Sequence, residues 1–471
     1  MRAQTAFPAL AAALSILAGC AATTSPDPRT MSFPAVKFDP PEHRRLVQPN
    51  GTVLYLLEDH EVPLVNIQVL VRTGSVLDPV DKPGLAEMTG RVMRTGGTAD
   101  HRPDRLNEKL EDMGALLETS IGREAGHASL SVLTSDLEEG VGLLAAVLRT
   151  PLFAEEEVAR AARRKIEQLR RSNDDPDTIA FRELRAVLYG DDPRGRTPEP
   201  EDISALIRSD LAAFHRRYFH PDRIIVGVTG DFVEGSFLRL WEREFGDWEP
   251  AGGEPGPLPV PRSTPPTAVY LASRDFPQTT IALAQFAPPL GSPDYFSFLL
   301  MNYILGGAGF NSRLTGEIRS NRGLAYSVGS SYRGGVGYGV LAAWCKTGPG
   351  TAPEALGLMV DVMDRVRREG VTGEELEWAK ESIVNSLIFS IDGPAEVLSR
   401  RMSHEYDGLP PDFLERYPDL IGAVTAADVG RAAAGYLRPE SAPVVVVGRN
   451  EGQREAFADF GETVVVPLRE Y

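Results

Sequence analysis

Cysteine and histidine are scarce in this chain of 471 residues, which contains two cysteines and seven histidines. No two histidines lie three or four residues apart, the spacing that places two imidazoles on one helical face as zinc ligands. A Gly-x-Ser-x-Gly turn, a Gly-x-x-x-x-Gly-Lys-Ser/Thr loop and a Cys-x-x-Cys pair are also absent. These absences argue against a serine-hydrolase nucleophile, a P-loop nucleotide site and a paired-cysteine centre.

Basic residues are in deficit, and the formal net charge is -17 at pH 7. This charge argues against a nucleic-acid partner, because phosphates would be repelled over most of the surface. Apolar residues make up 42% of the chain and charged residues 24%, which is typical of a soluble globular protein. The length predicts two or more domains.

Residues 1–20 carry an apolar run too short to span a bilayer and end in Leu-Ala-Gly-Cys at Cys20. This segment resembles a bacterial lipoprotein signal peptide, which implies cleavage before Cys20 and a membrane anchor through lipid on its sulfur. A plain secretory signal is the alternative. Because no aspartate follows Cys20, we expect the outer membrane, facing the periplasm. Residues 21–44 are predicted to form a flexible tether. If Cys20 carries lipid, Cys345 has no disulfide partner, and we expect it to be a small buried side chain.

Beyond the tether the chain repeats itself. The clearest repeat pairs residues 203–231 with residues 421–449. Each segment contains a residue able to start a helix, an aromatic residue near the helix end, a proline and a strand-like run. A second repeat pairs residues 155–171 with residues 373–389. The sequence therefore predicts two domains of the same architecture.

Residues 249–267 are dense in proline and glycine and predict an extended linker. The linker divides the chain into an N-terminal domain over residues 45–248 and a C-terminal domain over residues 268–471. Strands are separated by helices in some places and by tight turns in others. We therefore expect an α+β fold in which each domain is a mostly antiparallel sheet with helices packed on one face.

In the C-terminal domain, a cluster of glycines precedes a short predicted helix and a strand. Leu314 and Ile318 form the apolar face of the helix, and Arg319 lies on its last turn. The strand is predicted over residues 324–331 and carries Tyr326. A guanidinium and a phenol on two rigid elements suit binding of a peptide carbonyl or a developing oxyanion. The alternative is a solvated helix-end cation beside a half-buried aromatic residue.

The string SRLTGEIRSNRGLAYSV, residues 312–328, resembles the C-terminal-half signature of the insulinase/pitrilysin-type zinc peptidases. This inverzincin family includes the mitochondrial processing peptidase, and its arginine and tyrosine match Arg319 and Tyr326. The resemblance covers residues 45–465 and implies two domains that face each other like a clam shell around a peptide-sized chamber. It also implies that Arg319 and Tyr326 bind substrate and stabilise the tetrahedral intermediate at a zinc ion carried by the other half.

The family's zinc helix corresponds to residues 84–98, GLAEMTGRVMRTGGT, but the metal-binding residues are missing. Where an inverzincin has histidine, glutamate and histidine, this chain has Glu87, Gly90 and Arg91. Glycine offers no ligand, and arginine remains a cation. The family's third ligand, a glutamate on a later helix, corresponds to Gln168 or, with a slip of one residue, to Glu167, and a lone carboxylate there would not hold zinc. We expect no metal or other cofactor in this chain, and an i,i+4 ion pair between Glu87 and Arg91.

The resemblance and the missing ligands favour a non-catalytic, substrate-binding subunit of a heteromeric zinc metalloendopeptidase. Such a subunit would form a heterodimer with a homologous zinc-bearing chain, hold a peptide or unfolded protein as substrate, and supply Arg319 and Tyr326 to the partner's zinc site. The first alternative is a peptide-binding or scaffolding lipoprotein of the cell envelope without turnover. The second is a self-sufficient metallopeptidase with an unorthodox site.

Overall fold

The structure, a computed structural model, describes residues 40–253, 256, 258–262, 264–391, 393–449 and 454–468. The predicted signal peptide, its lipidation site Cys20 and the tether as far as residue 39 lie outside the described residues. Within the described ranges, no helix combines the length and the apolar character needed to cross a bilayer.

The first half of the chain is built around a six-stranded mixed sheet. Its strands are β1 (Arg44–Val47), β2 (Val53–Glu58), β3 (Leu64–Val71), β4 (Leu116–Ile121), β5 (Gly126–Leu133) and β6 (Ile224–Gly230). They follow the order β1-β2-β6-β3-β5-β4, with β2 and β6 parallel and all other neighbours antiparallel. Every second residue of β3, from Val65 to Val71, is buried in the core, so this sheet has one fully apolar face.

The second half contains a six-stranded mixed sheet in which five neighbouring strands repeat the order of the first sheet. Its strands are β7 (Ala268–Ser273), β8 (Thr279–Ala287), β9 (Ala325–Gly335), β10 (Tyr338–Thr347), β11 (Val444–Gly448) and β12 (Glu462–Val465). They follow the order β12-β7-β11-β8-β10-β9, in which β11 and β12 run parallel to β7 and the other neighbours are antiparallel. Strands β4 and β9 are therefore corresponding edge strands of the two sheets.

Helices pack on the faces of both sheets. In the first half these are α1 (Leu85–Thr95), α2 (Pro103–Asp112), α3 (Leu137–Arg149), α4 (Glu155–Arg171), α5 (Pro176–Tyr189), α6 (Pro200–Ala205), α7 (Arg208–Tyr218) and α8 (Glu234–Phe245). The second half has α9 (Tyr295–Asn302), α10 (Ala352–Glu369), α11 (Gly373–Phe389), α12 (Pro394–Tyr406), α13 (Phe413–Gly422) and α14 (Ala426–Tyr436). Two π-helical segments, Tyr303–Gly307 and Thr315–Asn321, also lie in the second half.

The predicted duplication is confirmed by the helix–strand unit that closes each half. Helix α7 precedes β6, and helix α14 precedes β11, so both repeated segments fold alike. Helix α14 begins with a capping box, in which Thr425 and Asp428 each bind the other's backbone N–H. The α+β class and the two sheets are confirmed as well. Cys345, on β10, is fully buried, as predicted.

One helix of each half packs against the sheet of the other half. Helix α5 of the first half packs Ile179, Leu184 and Leu188 against β8 and β11 of the second sheet. Helix α12 of the second half packs Leu398 and Met402 against the first sheet, mainly on β6. This exchange places an apolar helix on the second face of each sheet, in addition to the expected layer on the first.

Polar contacts join the two halves at the turn between β4 and β5. One carboxylate oxygen of Glu124, in this turn, accepts hydrogen bonds from Arg194 Nε and from the Tyr338 hydroxyl, each at 2.7 Å. The Tyr406 hydroxyl at the end of α12 donates to the Glu124 carbonyl oxygen. The turn of the first sheet is thereby bound to two elements of the second half.

Candidate functional site

Helix α1 lies where the resemblance places two zinc ligands and a catalytic base. It begins after Gly84, whose φ of 90° is a left-handed conformation that favours glycine. The buried carboxylate of Asp78 accepts hydrogen bonds from the backbone N–H groups of Gly84 (2.9 Å) and Ala86 (2.8 Å), which fixes the start of the helix. Burial raises the pKa of Asp78 to about 7.

Glu87 on α1 is the centre of an ion-pair cluster. One carboxylate oxygen lies 3.3 Å from Arg91 Nη2, so the predicted i,i+4 pair is confirmed. The other oxygen lies 2.6 Å from Nζ of Lys165 on α4, whose side chain is 11% exposed. Together Glu87, Arg91 and Lys165 form the Glu87 cluster. Two cations already occupy the one carboxylate that α1 could offer to a metal ion.

Gly90 brings α1 into direct contact with the edge strand β4. A Cβ atom on Gly90 would lie 2.3 Å from the backbone nitrogen of Ile121, closer than any side chain can approach. The Thr119 hydroxyl of β4 donates to the Gly90 carbonyl oxygen at 2.7 Å, which holds the helix against the strand. The position at which the family carries its glutamate therefore has no room for a side chain.

Gln168, the predicted counterpart of the third ligand, is exposed on α4. Lys165, one turn earlier on α4, donates a hydrogen bond to Glu87 of α1 and was not predicted. Its spacing was informative, because Val158, Ala161, Lys165 and Leu169 share the buried face of the helix. A lysine on such a face needs a carboxylate partner, and Glu87 provides it.

The residues around α1 do not fit a zinc ion. Zinc sites in proteins use neutral histidine, thiolate or carboxylate ligands, whereas this position offers one neutralised carboxylate, a glycine and two cations. Across the described parts of the chain, no group of three or more histidine, cysteine, aspartate or glutamate side chains is arranged to hold a metal ion. No catalytic step is therefore assigned to a metal bound here.

Arg319 and Tyr326 lie close together in the second half. Arg319 belongs to the π-helical segment Thr315–Asn321, and Tyr326 follows on β9. The guanidinium carbon of Arg319 lies 5.6 Å from the centre of the Tyr326 ring and 4.6 Å from that of Phe310. Tyr326 is 73% exposed and Phe310 is 70% exposed. Phe310, which was not predicted, follows the glycine cluster and completes a stack of one cation between two exposed aromatic rings.

The segment that carries Arg319 is firmly anchored. Leu314 and Ile318 are fully buried, as predicted for the apolar face of this helix. Arg313 makes two hydrogen bonds of 2.7 Å to the Glu375 carboxylate on α11, and this contact lowers the pKa of Glu375 to about 2. Arg319 itself forms no ion pair with any residue in the described ranges. Its guanidinium is thus oriented by aromatic contacts and retains its hydrogen-bond donors.

The fold and the site define a duplicated, peptidase-like chain. Among its described residues, the first half has no metal-binding set and the second half presents an arginine without an ion-pair partner. The profile described as "Insulinase (Peptidase family M16)" matches residues 53–199, and the profile described as "Peptidase M16 inactive domain" matches residues 205–383. The chain belongs to the M16 family of insulinase/pitrilysin-type peptidases.

Relatives of this chain carry peptidase names. An uncharacterized zinc protease of Mycobacterium tuberculosis is 27% identical over 430 residues, which is 90% of this chain and 97% of that protein. A probable mitochondrial-processing peptidase subunit beta of Schizosaccharomyces pombe is 27% identical over 378 residues, 76% of this chain and 80% of that protein. The crystal structure of a peptidase M16 inactive domain from Pseudomonas fluorescens has a TM-score of 0.79 at 24% identity, covering 91% of this chain and 100% of that chain.

Proposed function

We propose that this chain is the non-catalytic, substrate-binding subunit of a heteromeric zinc metalloendopeptidase, and that it supplies Arg319 and Tyr326 to the zinc site of a homologous partner. The observation that supports this most is the contrast between the halves. In the first half the only carboxylate on α1 is neutralised by Arg91 and Lys165. In the second half the half-buried guanidinium of Arg319 lies beside two exposed aromatic rings on an anchored segment and makes no ion pair with a described residue.

The chemistry of the Arg319 pair suits a peptide bond under attack. A guanidinium donates charge-assisted hydrogen bonds, which strengthen as negative charge develops on a carbonyl oxygen. Tyr326 adds a hydroxyl donor beside it, and Phe310 limits the positions that the arginine can take. A partner's zinc would supply the polarised water, and this chain would hold the peptide and stabilise the oxyanion.

The relatives support a paired assembly. The fission-yeast relative is named as a subunit of a processing peptidase. The edge strands β4 and β9 offer backbone groups to which a peptide could be added as an extra strand. On this proposal the zinc is a cofactor of the partner subunit and the substrate is a peptide or an unfolded protein.

The experiment is co-expression of this chain with a homologue from the same genome that carries two histidines on its first-half helix. We expect peptidase activity from the pair and little from either chain alone. Arg319→Ala and Tyr326→Phe in this chain should each lower kcat by about 100-fold or more, the usual loss for a removed oxyanion donor. Arg322→Ala is the matched control, because Arg322 is exposed near the same segment and, among the described residues, forms an ion pair with Glu317 alone.

Equal activity in the parent, Arg319→Ala and Tyr326→Phe pairs would contradict the assigned role. Recovery of envelope proteins in a pull-down, without any zinc-bearing homologue, would favour the scaffolding alternative. Stoichiometric zinc in this chain alone, with activity lost on chelation, would favour a self-sufficient peptidase.

We also propose that Cys20 is lipidated and holds the protein at the outer membrane, facing the periplasm. The support is the sequence Leu-Ala-Gly-Cys at residues 17–20, after an apolar run. Labelling of cells with a fatty-acid analogue should mark the parent protein but not Cys20→Ser. A labelled Cys20→Ser protein, or an unlabelled parent, would contradict this placement.

A further inference from the structure

A cavity of about 1190 Å³ lies between the two halves. Its walls come from the ends of β3 and α5, the turn between β4 and β5, the hairpin of β9 and β10, and the end of α12. It is larger than the range of about 300–1,000 Å³ that is usual for small-molecule sites. The space therefore accommodates a segment of a larger molecule.

The charge of this lining is opposite to that of the whole protein. Seven arginines and no lysine are among the lining residues in the described part of the chain, against two carboxylates, Glu124 and Asp407. The formal net charge of the chain is -17. The seven residues, which make this the arginine cavity, are Arg72, Arg123, Arg185, Arg194, Arg217, Arg223 and Arg333.

Only one of these arginines is neutralised. Arg194 pairs with Glu124 at 2.7 Å and with Asp192 at 3.0 Å. The other six make no ion pair with a residue that the structure describes. Arg72 lies over the Tyr406 ring, at 4.9 Å from its centre, and donates to the Tyr406 carbonyl oxygen at 3.1 Å. The cavity therefore holds a surplus of positive charge.

Arg185 is the lining arginine whose surroundings most clearly disfavour its positive charge. Its Nη2 donates to the Thr197 hydroxyl at 3.0 Å, but its Nε is buried and has no partner within the described residues. Burial, together with repulsion from Arg123 and Arg182, lowers the pKa of Arg185 to about 10. The Nε of Arg223 is buried without a partner in the same way. These two Nε atoms are enclosed by protein, so a ligand in the cavity would pair with the terminal guanidinium nitrogens of the lining arginines.

We propose that the arginine cavity binds acidic peptide segments, whose carboxylates pair with Arg185, Arg123 and Arg333. Guanidinium groups bind planar carboxylates through two parallel hydrogen bonds, which a lysine cannot do. A peptide is favoured over a small anion because β9 lies at the sheet edge and four of its residues border the cavity, so that backbone groups and arginines line the same space. These residues are Ser331, Arg333, Gly334 and Gly335. The proposal names the substrate class and rests on the proposed function only in taking a peptide as the occupant.

Apolar residues of the lining indicate which other side chains the bound peptide should carry. Phe181, Leu184 and Leu188 of α5 and Val340 of β10 also line the cavity. A segment that alternates acidic and apolar side chains would present carboxylates to one wall and apolar groups to the other, as an extended strand does. Peptides rich in lysine or arginine would be repelled.

The test is fluorescence anisotropy with the full chain alone and three labelled peptides of equal length. One alternates Asp or Glu with Val or Leu, one carries Asn and Gln at the acidic positions, and one carries Lys there. We expect the acidic peptide to bind at least about tenfold more tightly than the amide peptide, with an affinity that falls as salt rises, and no binding of the lysine peptide.

Arg185→Gln and Arg333→Gln should each weaken binding of the acidic peptide by about tenfold, the loss expected for one charge-assisted contact. Arg163→Gln, on the exposed face of α4, should leave binding unchanged. Arg333 is exposed, so its variant keeps the test valid if Arg185→Gln fails to fold.

Equal affinity for the acidic and amide peptides, or unchanged binding by Arg333→Gln, would overturn the proposal. Tighter binding of inorganic polyphosphate than of the acidic peptide would overturn the assignment to a peptide. Because no partner and no turnover are involved, a failure here leaves the role of Arg319 standing, and a failure of the co-expression experiment leaves acidic-peptide binding standing.

Discussion

In both halves a helical segment packs closely on the edge strand of the sheet at a glycine residue. In the first half a Cβ atom on Gly90 would lie 2.3 Å from a backbone nitrogen of β4, and in the second half one on Gly306 would lie 2.4 Å from a backbone nitrogen of β9. The first half therefore has the same close helix–strand contact as the half that matches the inactive-domain profile. The loss of the catalytic base at Gly90 is therefore steric as well as chemical.

The halves differ in whether the charged residue of the candidate site has an ion-pair partner among the described residues. The first half neutralises Glu87 with Arg91 and Lys165. The second half leaves Arg319 unpaired among the described residues, between Phe310 and Tyr326. The Glu87 carboxylate already has two cationic partners, whereas the half-buried guanidinium of Arg319 keeps its hydrogen-bond donors for a ligand. The following predictions, ordered by size of effect, test these similarities and differences.

The largest effect is expected from the exchanged helices. Leu184→Ala on α5 and Leu398→Ala on α12 should each lower the free energy of unfolding by about 2–5 kcal/mol, because both leucines are almost fully buried against the opposite half. Chemical denaturation measures both changes. Leu116→Ala, at an exposed position, is the control. A change below about 1 kcal/mol for only one helix would show that the exchange is not equally stabilising in the two halves.

The glycine contacts should give the next largest effect. Gly90→Ala and Gly306→Ala should each destabilise the protein by about 1–3 kcal/mol, since each methyl group would force helix and strand apart. Gly430→Ala, inside α14 with nothing within 4 Å of the new Cβ, should instead stabilise it by about 0.5–1 kcal/mol. If Gly90→Ala behaved like Gly430→Ala, the steric part of the comparison would be wrong.

Substitution in the Glu87 cluster should change stability by a similar amount. Glu87→Gln leaves Lys165 largely buried without its carboxylate and should cost about 1–3 kcal/mol. The double variant Glu87→Gln, Lys165→Met should recover part of this loss, because no unpaired charge remains. Glu167→Gln, which breaks an exposed pair with Arg171, should change stability by less than about 1 kcal/mol. Additive effects of the two cluster substitutions would argue against direct coupling.

The smallest change in stability at neutral pH is expected from substitution of His215 on α7. Burial lowers the pKa of His215 to about 4, with repulsion from His220 and Arg216 adding to the shift, and its Nε2 contacts the Leu148 carbonyl oxygen at 2.8 Å. Because the folded pKa lies below the unfolded value, the stability from this neutral histidine is present at neutral pH. It is lost as pH falls from about 6.5 through 4.

His215→Gln keeps a donor for the carbonyl oxygen but cannot titrate. Stability measured at several pH values should therefore be similar to that of the parent near pH 7 and should fall less than that of the parent in acid. The corresponding helix of the second half has the buried Ala433 at this position of the repeat, so it carries no such group. Parallel curves for parent and variant would exclude His215 as the cause of acid sensitivity.

Much of the architecture could be read from the sequence, because periodicity and turn residues are local. The strand predicted over residues 324–331 is the first part of β9, Ala325–Gly335. The helix predicted to bury Leu314 and Ile318 does so, although it is π-helical, a distinction that the apolar spacing does not contain. The exchange of α5 and α12 could not be predicted, since it depends on which distant sheet each apolar face meets.

The candidate site was predictable only in part. The mismatch at Glu87, Gly90 and Arg91 is visible in the sequence, as is the i,i+4 pair that the structure confirms. The contact of Lys165 with Glu87 joins two helices far apart in the chain, and the close approach at Gly90 depends on the position of β4. Both are properties of tertiary packing, which local patterns do not specify.

The measurement that tests the central claim most directly is the zinc content of the full-length protein, purified without chelator, incubated with zinc and dialysed. We predict far less than one zinc per chain, and no difference between the parent and Glu87→Gln, because Arg91 and Lys165 already occupy the carboxylate. One tightly held zinc ion per chain that is lost in Glu87→Gln would contradict this account.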